Sequence, residues 1–240
     1  MSRPTEPVKD APGKKGEAPP PLSSLGQSDR TDSSKAPPAD SPAEAEAYAR
    51  ERPGDFKKAL PWVILVSTMF LLTYLDRAMF GPLLSSLEKE FSISHAISTR
   101  FLFFMSVGYS VSMFLSGFSS SKIRPRVLVS SSIVCCGLVL LGISAATSTA
   151  MLSLLFVMLG VAAAQYFNGG LSTMRSLVKP VEWSNAISVH EIGPNASFFI
   201  GPILAEVGGA LLGWRGVVAF MGWLRIAAGH VFYFIATGGD

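Results

Sequence analysis

Charged and amide side chains inside otherwise apolar stretches are the residues of this sequence that could do chemistry. Asp76, Glu191 and Arg225 carry ionisable groups, and Asn168 and Asn195 carry amides. An ionisable group is costly inside a hydrocarbon bilayer, so each one is a candidate for binding a solute, binding a proton or pairing within a helix bundle. Each of these roles is binding or packing rather than catalysis.

The residue pattern is not typical of an enzyme. A serine hydrolase inside a membrane needs a Ser and a His that converge from different spans, and we find no glycine-flanked serine motif to supply the nucleophile. No phosphate-binding glycine loop is present. Cys135 and Cys136 are adjacent in an apolar stretch without further metal ligands nearby. The sequence therefore predicts no catalytic residues, no metal site and no cofactor.

Six apolar stretches, each about 18–27 residues long, must position these side chains. A helix needs about 20 apolar residues to cross about 30 Å of hydrocarbon, and the bilayer leaves the backbone no other partners. The sequence thus predicts an all-α polytopic membrane protein, with residues 1–56 as a disordered cytoplasmic tail and residues 57–240 as a six-helix bundle. The predicted spans are about 59–84, 101–120, 127–146, 150–171, 186–212 and 217–236. We expect Gly81-Pro82 to kink or end the first of them.

Lys and Arg near the ends of the spans predict the orientation. They precede the first span and join the second to the third and the fourth to the fifth, at Lys57, Lys58, Lys122, Arg124, Arg126, Arg175 and Lys179. Positive residues accumulate on the cytoplasmic side, so both termini are expected there. The net charge is only +3, and no part of the chain is a basic domain that would bind nucleic acid. We expect a multi-pass protein of the plasma (inner) membrane, in contact with membrane lipid.

Four short motifs occur at the ends of spans and inside one span. They are Tyr74-Leu75-Asp76-Arg77 with Phe80-Gly81-Pro82-Leu83, a basic joint with Gly117, Lys122 and Arg126, a glycine-proline pattern at Gly193, Gly201-Pro202 and Gly208-Gly209, and Gly213-Trp214-Arg215. By their order and spacing, residues 60–240 resemble the N-terminal half of a major facilitator superfamily (MFS) transporter. Gly117, Lys122 and Arg126 are similar to the family's cytoplasmic loop motif.

The resemblance implies transport of a small solute by alternating access, as a secondary active transporter or a facilitator, with or without a coupling ion. A full member has twelve spans in two similar halves. The chain is therefore expected to be a truncated N-terminal half, whose partner is the missing C-terminal half. Two alternatives stay open: a natural half-transporter that pairs with a second copy, and a membrane scaffold or assembly subunit that transports nothing.

Polar faces of three spans supply the predicted contacts with the solute. By resemblance, helices one and four line the central cavity. On a helical wheel, Glu191 and Asn195 share a polar face of the fifth span within an arc of about 80°. The predicted substrate contacts are Asp76, Thr73, Gln165, Asn168, Glu191 and Asn195. The alternatives are a solvated Glu191 at the cytoplasmic end, and hydrogen bonds between helices for Gln165 and Asn168.

Two further features concern packing inside the membrane. Ser197, Gly201 and Gly208 form a small-residue face of the fifth span, which we expect to meet another helix, by resemblance often one from the missing half. Arg225 is predicted about 14 Å into the sixth span. We expect this intramembrane charge to point into the bundle and to find an acidic or carbonyl partner, with Asp76 the first candidate.

Overall fold

The computed structural model describes residues 56–119, 123–179 and 182–237. These residues form five helices: α1 (Phe56–Phe91), α2 (His95–Ser119), α3 (Pro125–Ser144), α4 (Thr149–Leu177) and α5 (Trp183–Thr237). Each of the five is long and apolar enough to cross a membrane. The predicted tail up to residue 55 and Lys122 of the loop motif lie outside the described residues.

A break at Gly213 divides α5 into two arms. The 55 residues of α5 include Gly213 at φ 69° and ψ 165°, where two helices join. An unbroken helix of that length would be about 80 Å long, more than twice the hydrocarbon thickness. We call residues 183–212 α5a and residues 214–237 α5b. They overlap the fifth and sixth predicted spans, but a count of six crossings stays a prediction, since the break alone does not fix the path of α5b through a bilayer.

Gly81-Pro82 was expected to kink or end the first span, and the second of these alternatives is wrong because the helix does not end there. Pro82 lies inside α1, which continues to Phe91. Leu83, Leu84 and Leu87 are at most 4% exposed, so the turns that follow the proline are held in the core. Burial of these three side chains stabilises the helix against the loss of one backbone hydrogen bond. α1 is followed by Ser92, whose φ of 52° is left-handed.

Four helix pairs make most of the contacts between the described helices. α1 packs against α5, α2 against α4, and α3 against both α4 and α5. The crossing of α2 and α4 depends on glycines: a Cβ on Gly160 would overlap the Met105 carbonyl and lie 2.7 Å from the Tyr109 nitrogen. Only a residue without a side chain permits two backbones to come this close.

A polar clamp joins three helix ends on one side of the bundle. Trp214 Nε1 and Arg215 Nη2 donate to the Glu90 carboxylate, at 2.5 and 2.6 Å. Arg215 also donates to the Ser144 and Ala146 carbonyls, at 2.5 and 2.7 Å. The clamp therefore connects the end of α1, the end of α3 and the beginning of α5b. It gives the Gly-Trp-Arg motif a structural role in this chain.

Candidate functional site

A buried ion pair joins α1 to α5b. Arg225 Nη2 lies 2.9 Å from Asp76 Oδ2, and the two residues are 0% and 1% exposed. The same Nη2 donates to the Leu72 carbonyl. The partner expected from the sequence is thus present. Two buried charges that compensate each other are tolerated in an apolar environment, whereas either one alone is not.

The other residues on this face of α1 also belong to the core of the bundle. Thr73 is 2% exposed, and its hydroxyl donates to the Met69 carbonyl at 2.9 Å. Phe80 packs against Phe156, with ring centroids 4.7 Å apart. The structure therefore places Asp76 and Thr73 inside the bundle with partners of their own. Their contact with a solute stays a prediction.

The two predicted amides of α4 bond to serines of α2. Gln165 Nε2 donates to Ser112 Oγ at 2.8 Å, and Asn168 Nδ2 donates to Ser116 Oγ. The Ser112 hydroxyl donates in turn to the Val161 carbonyl at 3.1 Å. These are the bonds between helices that the sequence offered as the alternative to cavity contacts. Both amide side chains are half-buried.

The polar face of α5a is open. Glu191, Asn195 and Glu206 are exposed, and Phe198 on the same face is 58% exposed. Asn195 Nδ2 donates to the Glu191 carbonyl at 2.7 Å. The predicted contact residues therefore lie in three places rather than one: the core around Thr73 and the buried pair, the α2–α4 boundary and this open face.

The small-residue face of α5a meets α1 of the same chain, which corrects the expectation of a partner in the missing half. Ser197 is 0% exposed. A Cβ on Gly201 would lie 2.5 Å from Ala78 Cβ, and one on Gly193 would lie 2.5 Å from the Ser67 carbonyl. A Cβ on Gly208 would lie 2.8 Å from Cγ2 of Val217 in α5b. Small residues bring α5a against α1 because nothing larger fits between the backbones.

Arg77 has an environment that the sequence did not reveal. Its guanidinium carbon lies 4.2 Å from the centroid of the Tyr109 ring of α2 and 5.6 Å from that of Tyr74. One terminal nitrogen is buried and has no hydrogen-bond partner among the described residues. Tyr74 lies one turn before Arg77 on α1, so half of this arrangement could have been found from the spacing.

His190 is buried in an aromatic stack that the sequence also missed. It is 1% exposed and lies on Phe70, with ring centroids 4.2 Å apart. Its Nε2 is 3.1 Å from the Tyr166 hydroxyl. His190 directly precedes Glu191, for which a solvated position at the cytoplasmic end was one alternative. At about 100° per residue, however, it falls on the same stripe as Ser197 and Gly201, and that signal predicts burial.

The loop motif is described only in part. Gly117 lies in α2, and Arg126 is the second residue of α3. Arg126 lines a cavity of about 840 Å³ together with Trp62, Arg124 and Thr173. Arg126, the last residue of the motif, therefore borders a cavity with both polar and apolar lining residues.

Two solved structures share this arrangement of helices. One is the crystal structure of a bacterial homologue of the human lysosomal transporter Spinster, in an inward-facing and unoccupied conformation. It is 17% identical over 73% of this chain and 43% of that chain, with a TM-score of 0.62. The other shows the same homologue inward-facing and occupied, at 17% identity over 72% of this chain and 43% of that one, with a TM-score of 0.61. These likenesses show the fold, and the chain spans less than half the length of either.

The family follows from the sequence profile rather than from these structures. The profile of the Major Facilitator Superfamily matches residues 66–238, a range that includes nearly all of the described helices. Together with the membrane-length apolar helices, the match makes this an integral membrane protein. The chain belongs to the Major Facilitator Superfamily.

Proposed function

We propose that this chain is one helix bundle of a transporter that moves a small solute across the plasma (inner) membrane by alternating access. Membership of a family of transporters, which are generally not enzymes, supports the proposal. The observation that carries it is the open polar face of α5a. Alternating access needs a second bundle against which this one rocks, with the solute site between them.

The open face is suited to such a boundary. Glu191, Asn195 and Glu206 would be costly if they faced lipid, yet the other stripe of the same helix is packed against α1. Water or a second protein surface must therefore cover these side chains. The chain spans 43% of the length of the Spinster homologue. We assign the covering surface to a second bundle, supplied by a longer chain or by a second copy.

The solute contacts are expected at this boundary. Glu191 and Asn195 offer oxygen acceptors and an amide from α5a. On α1, beside Tyr109 of α2, Arg77 offers a further candidate contact, since one of its guanidinium nitrogens is buried and lacks a hydrogen-bond partner among the described residues. The other predicted contacts, which are Asp76, Thr73, Gln165 and Asn168, would have to exchange a partner inside the bundle for the solute. The proposal includes transport with or without a coupling ion.

Labelling of single cysteines tests whether the α5a face is wet. The natural Cys135 and Cys136 are replaced by alanine, and Asn195→Cys is compared with Leu138→Cys. Leu138 is 56% exposed on α3, so it is the matched site that should face lipid. A water-soluble maleimide should label position 195 and spare position 138. If the maleimide labels neither position, the α5a face is not open to water. That result would contradict the proposal and favour a scaffold subunit.

Reconstitution tests transport itself. Residues 1–240 are placed in vesicles, and solute flux across a panel of small solutes is measured together with oligomeric state. We expect no flux from the monomer, because a single bundle has nothing to rock against. Flux from a dimer would establish the half-transporter alternative, and robust flux from a monomer would contradict the proposal.

A further inference from the structure

The hydrogen bonds of Tyr166 fix the protonation pattern of His190. The Tyr166 hydroxyl lies 2.6 Å from the Val66 carbonyl, which can only accept, so the single hydroxyl proton lies between those two oxygens. The hydroxyl oxygen can then only accept from His190 Nε2, 3.1 Å away. In the neutral ring Nε2 therefore carries the proton, and Nδ1 is a bare lone pair.

That lone pair is buried and has no donor. Nδ1 has no hydrogen-bond partner among the described residues, although the side chain is only 2% exposed. The nearest charged group is an acceptor as well, because Glu191 Oε1 lies 3.9 Å from Nδ1. Nδ1 and Glu191 Oε1 are thus two acceptors that face each other without a donor, and an unpaired buried acceptor is costly.

We propose that His190 and Glu191 form a proton-binding site of this bundle. A proton from bulk water adds to Nδ1, the ring becomes an imidazolium, and this cation forms an ion pair with the Glu191 carboxylate, whose Oε1 lies 3.9 Å from Nδ1. No other bond forms or breaks. Glu191 is 51% exposed, so it connects the buried ring to the open face of α5a. The inference rests on the proposed function, within which it identifies the coupling ion as a proton.

The groups packed around His190 leave Glu191 as its one carboxylate partner in the described structure. α1 presents the uncharged ring of Phe70. α4 presents Tyr166, whose proton is used on the Val66 carbonyl. α5a itself presents Glu191. A positive charge on the ring therefore interacts mainly with Glu191. Glu191 lies on the α5a face that we expect a second bundle to cover.

Nitrogen-15 NMR of histidine reads this site directly. The chain has three histidines, and the exposed His95 and His230 are replaced by glutamine to leave His190 alone. The full chain in nanodiscs should show the Nε2–H neutral form at neutral pH and the imidazolium on acidification. Glu191→Gln should lower the imidazolium fraction severalfold at the same acidic pH. Glu206→Gln, on the same face of the same arm, should leave that fraction unchanged.

Two outcomes would overturn the inference. One is a neutral ring protonated at Nδ1 in the otherwise unchanged chain. The other is an equal imidazolium fraction with and without the Glu191 carboxylate. The measurement uses no solute, so its result is separate from the vesicle experiment. Flux with an unresponsive His190 would keep the proposed function and reject only the proton site.

Discussion

At the scale of single residues, the Asp76–Arg225 pair shows how a charge is kept inside the bundle. Both residues are at most 1% exposed, and the oxygen–nitrogen distance is 2.9 Å. Removing one partner leaves the other charge buried without compensation, which costs about 3–5 kcal/mol in proteins. The contact between α1 and α5b therefore depends on both charges of the pair, whether or not the pair also takes part in transport.

A double-mutant cycle tests this pair. Asp76→Asn and Arg225→Gln should each lower the free energy of unfolding, measured by SDS titration in mixed micelles. The double variant should be less harmful than the sum of the two, by about 0.5–3 kcal/mol. Arg225→Gln combined with Arg215→Gln is the control, because Arg215 bonds to Glu90 and to carbonyls instead. Additivity in the first cycle would contradict the pairing.

At the scale of elements, α5a is a helix with two different faces. One stripe, with Gly193, Ser197 and Gly201, lies against α1, and the other, with Glu191 and Asn195, is open. Close packing on one side fixes the rotation of the helix about its axis. That rotation directs the polar stripe away from the bundle, so the packed glycines position the proposed solute face.

Two glycines of α5a provide a matched pair of substitutions. A Cβ at Gly201 would lie 2.5 Å from Ala78 Cβ and 3.0 Å from the Met79 nitrogen, whereas one at Gly209 would lie 3.7 Å from Leu83 Cδ2. Gly201→Ala should therefore destabilise the chain by about 1–3 kcal/mol through overpacking. Gly209→Ala should be neutral or stabilising by up to about 1 kcal/mol. Equal unfolding free energies of the two variants would contradict the contact between α5a and α1.

At the scale of the whole molecule, the path of α5 decides the topology. The two arms meet at Gly213, whose φ of 69° and ψ of 165° fall in a region essentially restricted to glycine. If both arms cross the bilayer, the chain crosses six times and its ends share one side. If α5 crosses once, the ends lie on opposite sides.

Reporter fusions at Asp55 and at Asp240 distinguish these topologies. The distribution of Lys and Arg predicts a cytoplasmic signal from both sites. A third fusion at Ser92, between α1 and α2, should report the external side and serves as the control. A cytoplasmic Asp55 with an external Asp240 would mean one crossing by α5. External signals at both ends would mean that the orientation is inverted.

The sequence by itself determined the all-helical membrane class, because length and hydropathy are local properties. It also identified the partner of Arg225, since a charge that deep needs compensation and Asp76 was the first acidic candidate. The tertiary structure decided which neighbour each helix face meets. Ser197 and Gly201 face α1, Gln165 and Asn168 face serines of α2, and His190 lies under Phe70. A helical wheel groups side chains by direction, but only the packing of the other helices decides whether that direction leads to water, to lipid or to another backbone.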